Sequence, residues 1–418
     1  MSTADRGTKD VSGEGTGPGA MEQWLHSRAF VRERRGLVRT ADAPAGTTLE
    51  SGRHEVSSGP PLDLAANDYL GLSRDPRVTA AAIDAVAHHG CGARASRVVN
   101  GTLAVHNYLE EQLCLLTAAQ SALVFSSGYL ANLGVLTSLG GPGTLLILDS
   151  HVHASLLDAA RLARSPVVMV AHGDTAEVGA VLAARTQPRA VVVVESLYSV
   201  LGDAADLNEL AVLCARHDAW LLVDEAHGIG VAGAGRGAVY EAGLGHASHV
   251  VRTVTLSKAL GSQGGAVLGS ATLREHLVNT SRTFIFDTAL APAAAGAAAK
   301  AAQIILAEPA LAQQLHSNAT TLARLCGFAR SPGAVQSVPM RSAEDALQAA
   351  QTLRTAGLLV GCFRPPSVPD GVSRLRLTAR ADLMAYELEH AAVLLGRVMP
   401  ALPDSSLGSA VAELDKEK

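Results

Sequence analysis

Four short apolar runs, each closing on a polar residue and each separated from the next by a helix-like stretch, constrain this chain more than anything else in it. Thr144–Leu148 leads into Asp149, Ala190–Val194 into Glu195, Trp220–Val223 into Asp224, and Val250–Leu256 into Ser257 and Lys258. Similar runs at Leu123–Phe125, Pro166–Val170 and Gly265–Leu268 complete the pattern. Near-continuous apolar strands alternating with helices predict an α/β fold: a mostly parallel central sheet with helices on both faces. Ligands of such sheets sit beyond the carboxyl ends of the strands, so the polar residues just after the runs are the candidate site.

After residue 290 the pattern changes. An alanine-rich stretch, 291–307, predicts a long connecting helix, and strands are expected at Ser337–Met340, Gly361–Arg364 and Leu375–Leu377 in a smaller C-terminal α/β unit. The expected division is a disordered polar tail (1–20), a helical N-terminal segment (21–60), a large domain (61–300), a small domain (301–402) and a flexible tail (403–418). A net charge of −5, with no basic run beyond Arg32–Arg35, argues against nucleic-acid binding. No stretch reads as a membrane span; Ala289–Ala307 is interrupted by Pro292 and Lys300. Five scattered cysteines without CxxC spacing, and no secretory leader, predict a reducing cytoplasm.

Lysine usage sharpens the search. Of 34 basic residues only five are lysines, and three of these (Lys9, Lys416, Lys418) lie in the polar tails. The chain uses arginine for ordinary surface charge, so Lys258, among small and apolar residues at a strand end, needs a reason arginine cannot supply. A desolvated amine can lose its proton and attack a carbonyl; a guanidinium cannot. Asp224 is the type of carboxylate that holds a pyridinium proton, and Ser126-Ser127-Gly128-Tyr129 opens a helix whose first amides suit a phosphate. Three other motifs are weaker. Asp224-Glu225-Ala226-His227 matches a helicase signature, but the required phosphate loop is missing. Gly228-Ile-Gly230-Val-Ala-Gly233 matches a dinucleotide fingerprint without its acidic partner, and His151 and His153 offer two metal ligands without a third at a matching spacing.

In this order the residues carry a resemblance. Asn67-Asp68-Tyr69-Leu70-Gly71-Leu72, Gly101-Thr102 with His106 and Glu110, Phe125 to Asn132, His153-Ala154-Ser155, the stretch from Val223 to Val231, and Thr255 to Gly261 are similar to the α-oxoamine synthases. These are fold type I transferases that use pyridoxal 5′-phosphate (PLP), and the likeness spans roughly residues 24–400. The stretches 257–265, 284–292 and 360–381 bring it nearest to the biotin-synthesis branch. The resemblance implies a homodimeric acyltransferase that condenses L-alanine with pimeloyl-CoA, or a pimeloyl-acyl carrier protein, with loss of CO2 and of the thiol.

It also implies roles. Lys258 binds PLP as an imine and moves the α-proton; Asp224 pairs with the pyridine nitrogen; His153 stacks on the ring; His227 and Ser199 meet the ring oxygen or orient the ring. Gly128, Tyr129 and Thr255 hold the phosphate end, and Thr288 reaches a phosphate across the dimer interface. Arg376 clamps the amino-acid carboxylate, with Asn67 and Thr378 at the substrate and Arg39 at the far carboxylate of the acyl chain. The chain departs from the family pattern at Ser199-Val200-Leu201-Gly202-Asp203 and at Gly92–Arg97. Open alternatives are a sister synthase using glycine or another acyl-CoA (a 2-amino-3-ketobutyrate ligase or α-aminoketone synthase), an aminotransferase, and a non-catalytic subunit of a heterodimer.

Overall fold

A computed structural model describes residues 19–34, 38, 41, 61–365 and 367–399. Arg39 and the polar tails lie outside the described residues. The chain divides into two units, one ending at Pro60 and one beginning at Pro61. The first contains the helix Ala20–Arg34, none of whose residues is buried.

The second unit carries two sheets. Its strands are β1 (Leu62–Leu64), β2 (Ser121–Phe125), β3 (Thr144–Asp149), β4 (Val167–Val170), β5 (Arg189–Glu195), β6 (Trp220–Asp224), β7 (Val250–Thr255), β8 (Gly265–Gly269), β9 (Val335–Pro339), β10 (Leu358–Phe363) and β11 (Arg374–Thr378). The larger sheet runs β2-β8-β7-β6-β5-β3-β4. The pairs from β7 through β4 are parallel, and β8 runs against both of its neighbours. All of β3 and all but the first residue of β5 are buried, which explains their lack of polar alternation. One face packs in a cluster around Leu123, Val135, Leu156 and Val267; another, around Ile147, Val192, Leu210 and Leu221, fills a further part.

The alanine-rich stretch is the helix Pro292–Ala307, with Pro292 in its first turn. It lies against Pro76–His89 and Ala104–Thr117. A Cβ at Gly296 would stand 2.8 Å from the Ala81 carbonyl oxygen and 2.8 Å from the Ala85 methyl. Small residues are there because the helices approach closely, not because the run seeks lipid. Among the described residues no helix is long and apolar enough to cross a membrane.

The smaller sheet is ordered β1-β10-β11-β9, around a core of Leu322, Leu353, Leu375 and Leu395. Its edge strand β1 comes from residues 62–64, at the start of the span expected to form the large domain. Three residues, Leu-Asp-Leu, are too short for a period to be read from sequence. The two sheets are joined through Ala381, whose amide donates to the Tyr69 carbonyl at 2.8 Å. Asn318, buried on the helix Ala310–Cys326, holds that segment: its Nδ2 donates to the carbonyls of Arg380, Ala381 and Leu383 at 2.8, 3.3 and 3.1 Å.

Asn318→Ala strands these carbonyls in a dry setting and should cost about 1–3 kcal/mol of stability. A thermal melt of the purified variant checks this, and an unchanged Tm contradicts it.

Candidate active site

Four parallel strands end on polar residues: Asp149 on β3, Glu195 on β5, Asp224 on β6 and Thr255 on β7. Register places Glu195 beside Asp224 and Asp224 beside Thr253. Lys258 follows three residues after β7. Its Nζ lies 2.8 Å from Nε2 of His227, which the turn after β6 supplies. Burial drives the Lys258 ammonium down to about 8; Asp224 and Glu195 oppose the shift and Arg376 adds to it.

From His227 a buried polar chain leads away from Lys258. His227 Nδ1 bonds the Tyr69 hydroxyl, that hydroxyl lies 3.2 Å from Asn67 Oδ1, and Arg376 donates to the same oxygen at 2.9 Å. Two proton arrangements complete the chain: a hydrogen on His227 Nδ1 leaves Nε2 to accept from Lys258, and a hydrogen on Nε2, donated to a neutral Lys258 amine, leaves Nδ1 to accept from Tyr69. A neutral imidazole fits its setting, since burial, and then Lys258 and Arg376, hold its pKa far below 6.5. Tyr69 is completely buried.

A second chain holds Asp224. Its Oδ2 accepts from Asn132 at 2.8 Å and its Oδ1 from the Ala226 amide at 2.9 Å. Asn132 also donates to Ser155 Oγ at 2.8 Å, and Ser155 lies 2.8 Å from His153 Nδ1. His153 Nδ1 accepts from the Ser155 amide at 3.2 Å as it caps the helix Ala154–Ala163, so its proton sits on Nε2. The ring of His153 is otherwise exposed. Asn132, Ser155 and Tyr69 were part of the motifs that carried the resemblance, but a side chain's hydrogen-bond partner 90 or more residues away leaves no local signal. Glu195 was visible only as the residue after an apolar run. It accepts from the Ser199 amide at 3.0 Å through Oε2, Oε1 has no partner, and burial beside Asp224 pushes its carboxyl well up.

Two glycines mark the other end of the site. A Cβ at Gly128 would stand 3.2 Å from Thr255 Cβ, and one at Gly265 would stand 2.5 Å from Gly128 Cα. The helix Gly128–Leu139 therefore starts directly against β7 and β8. Ser127 caps it by accepting from Leu130. The first-turn amides of Gly128 and Tyr129 remain open beside the hydroxyls of Thr255 and Ser257, which lie 2.7 Å apart. The Tyr129 side chain points elsewhere, its hydroxyl donating to Asp158 at 2.6 Å on the surface. Thr288 is exposed, one residue from Asp287, which accepts from Ser126.

Arg374, Arg376 and Thr378 share one face of β11 by period, yet the two arginines differ. Arg374 is bound to Asp370 at 2.5 and 2.7 Å. Arg376 keeps Nε unpaired in a buried position, as does the Thr378 hydroxyl. The Gly-rich turn is explained without a nucleotide: Gly230, at φ +79°, leaves room for the Ala259 methyl next to Lys258, and a Cβ at Gly228 would meet Ser196 Oγ at 2.6 Å. Glu225 of the helicase-like motif is buried and accepts from the Val239 amide.

The donor set fits PLP. A depressed amine, a buried carboxylate with both oxygens fixed, an exposed imidazole and a helix start kept open by glycine are its aldehyde, pyridine, ring and phosphate requirements.

The chain matches the family aminotransferase class I and II over residues 60–395. It is 50% identical over 380 residues to 8-amino-7-oxononanoate synthase of Mycolicibacterium gilvum, covering 90% of this chain and 97% of that protein. It is 52% identical over 339 residues to the protein of that name from Mycobacterium tuberculosis, covering 81% and 88%. Among solved structures, serine palmitoyltransferase of Sphingomonas wittichii superposes with a TM-score of 0.81 at 29% identity, covering 90% of this chain and 96% of the other. The S. paucimobilis enzyme with bound PLP-myriocin aldimine gives 0.82 at 29%, covering 91% and 98%. The family and the S. paucimobilis neighbour with its bound PLP aldimine indicate pyridoxal phosphate as the cofactor. Half identical to its relatives along nine-tenths of its length, the chain belongs to the 8-amino-7-oxononanoate synthases, PLP-dependent acyltransferases of fold type I.

Proposed function

We propose that this chain condenses L-alanine with a pimeloyl thioester, releasing CO2 and the thiol and forming 8-amino-7-oxononanoate. The observation that carries the reading is the buried chain Lys258–His227–Tyr69–Asn67–Arg376. It joins an amine to a guanidinium with an open Nε, the two groups an α-amino acid needs for proton transfer and for its carboxylate.

When bound, PLP supplies an electron sink for charge developing at the amino acid's α-carbon. Lys258 takes a proton at Nζ and returns it; its lowered pKa leaves a useful fraction of free amine near neutrality. Asp224 holds the pyridine proton, with Asn132 and the Ala226 amide fixing its oxygens. Ser155 fixes the His153 ring, leaving Nε2–H to donate. Arg376, with Thr378 on the same strand face, binds the carboxylate, and Asn67 orients Arg376. Gly128, Tyr129 and Thr255 take the phosphate, and Ser199 and His227 border the ring. Arg39 remains the proposed partner of the far carboxylate.

We further propose a homodimer and a cytoplasmic setting. Val98, Val99 and Phe286 expose apolar surface on neighbouring segments close to Thr288, which suits a second copy covering the phosphate end. All five cysteines are free.

Incubating the PLP-loaded chain with L-alanine, glycine or L-serine and a panel of acyl-CoAs, reading freed thiol and product mass, tests the reaction. Release of CoA with L-alanine and pimeloyl-CoA is expected. Turnover confined to glycine or serine, or an amino transfer without CoA release, overturns it. Lys258→Ala should retain the fold and lose turnover by about 10³-fold or more. In the unmodified chain, borohydride-reducible attachment of PLP should rise with pH through about 8, against 10.5 for a free lysine. The sign follows from the depressed pKa, because the reactive free amine is lost as pH falls below it. Tyr69→Phe interrupts the buried chain and should lower kcat/KM for the amino acid about tenfold; because it also takes the hydroxyl away from the buried His227 Nδ1, it should cost about 1–3 kcal/mol of stability, read as a lower Tm.

A further inference from the structure

We propose that His172 is a positioning residue of this active site: its imidazole ties the strand end that carries the His153 turn to the loop that carries Ser199. The inference rests on the PLP-site reading above and adds to it a residue outside the two buried chains.

Asp149, the last residue of β3, anchors one side. Its Oδ1 accepts from the His151 amide at 2.7 Å and its Oδ2 from the Gly173 amide at 2.9 Å. His172 Nδ1 lies 2.9 and 3.1 Å from the same two oxygens. Its other nitrogen, Nε2, lies 2.6 Å from Asp203 Oδ2. Asp203 belongs to the loop after β5, which folds back on itself: the Tyr198 amide donates to the Asp203 carbonyl at 2.8 Å, and Leu197 bridges to Ala204. Ser199 sits inside that fold, its amide on Glu195. The loop also abuts the smaller sheet, since Gly202 has φ +80° and a Cβ there would run into the Val335 carbonyl. One imidazole thus spans β3 and a loop that borders both the cofactor site and the small-domain sheet.

Carboxylates only accept, so an imidazole bonded to one on each side must carry both protons. His151 stacks on His172 at 3.8 Å and 16°, and Tyr198 stands edge-on at 4.4 Å, so its position is set from the faces as well. The groups facing this pair are Asp149, Asp203 and Tyr198, with the charge of Asp370 reaching His151. Burial works against the His172 charge; the two carboxylates more than reverse it and leave the pKa raised. A raised pKa means the bridge is whole at low pH and is released as pH rises through that value. This gives the His151–Val–His153 motif a use without a metal: His151 supports the bridge, and His153 serves the ring.

Two measurements on the full chain test the proposal. In the first, ring ¹⁵N NMR follows His172: its midpoint should lie above 6.5 and fall in Asp203→Asn. In the second, the equilibrium dissociation constant for PLP is measured from pH 6 to 9 by absorbance. Imine formation at Lys258 rises with pH in both proteins, so the ratio of the two constants is read: His172→Gln should bind about tenfold more weakly than the unmodified chain at low pH, and the ratio should fall toward one as His172 loses its proton. Asp206→Ala is the control. It removes the cap of the helix Leu207–Arg216, so it should lower Tm and leave the PLP profile unchanged. A midpoint at or below 6.5, or a His172→Gln variant with reduced Tm but the parental PLP affinity and pH profile, overturns the proposal. Failure with L-alanine and pimeloyl-CoA would sink the substrate reading and leave both measurements standing.

Discussion

Everything at the site depends on one constraint: an amine and two carboxylates share a small volume from which the surrounding strands exclude water. Parallel strands lie about 4.8 Å apart, so residues ending neighbouring strands are forced together whatever their charge. Glu195 and Asp224 are such a pair, and Lys258 is held over them by the turn that follows β7. Asp224 has donors on both oxygens, whereas Glu195 has one oxygen bonded to the Ser199 amide and one bare. Loss of solvent therefore acts in opposite directions on neighbours, raising Glu195 toward the neutral acid and lowering Lys258 toward the neutral amine. The sheet geometry creates the chemistry; the side chains alone, in water, would not have it.

The remainder of the fold keeps that arrangement tight. Gly230 lets the turn after β6 reach Ala259, which fixes His227 against Lys258. Gly128 and Gly265 let a helix begin directly on the sheet. Each is a position where one added methyl group would push apart two elements that both carry site residues. The smaller sheet contributes Arg376 and Thr378 from a strand interior, and Asn318 holds the following segment to Tyr69. The open guanidinium and hydroxyl thus come from one sheet, and Lys258, Asp224 and Glu195 from the other.

Much of this was legible in the sequence because it is local. A polar residue after an apolar run marks a strand end, and the strands of the large sheet fall within two residues of their expected bounds. The rarity of lysine singled out Lys258. What could not be read is what depends on contacts across the chain. Asn132 lies mid-helix and resembles any capped helix residue until β6 is brought beside it. Arg374 and Arg376 have the same surroundings in sequence; only Asp370, folded back onto the first, separates an ion pair from an open guanidinium. Tyr129 reads as a phosphate-site residue, yet its ring serves Asp158 and only its amide is placed for that role. A three-residue strand such as β1 has no period at all, and its membership of the smaller sheet follows from pairing with β10.

Unpaired buried polar atoms occur elsewhere in the fold, at Ser138, Arg252 and Ser337 among others, but four of them gather around Lys258. A buried donor or acceptor without a partner costs about 1–3 kcal/mol, so folded proteins leave few of them. Here Glu195 Oε1, Asn132 Oδ1, Arg376 Nε and the Thr378 hydroxyl are all unpaired, and each belongs to, or adjoins, one of the two polar chains around Lys258. A purely structural pair closes on itself, as Asp370 and Arg374 do on the same face of β11. The chains at Lys258 instead end on open atoms of both kinds, acceptors near the sheet's carboxyl edge and donors on β11. That polarity suits a zwitterion such as an amino acid. It places the energetic cost of the open site where binding can recover it, and explains why the surrounding glycines and buried leucines must hold the site so firmly before anything binds.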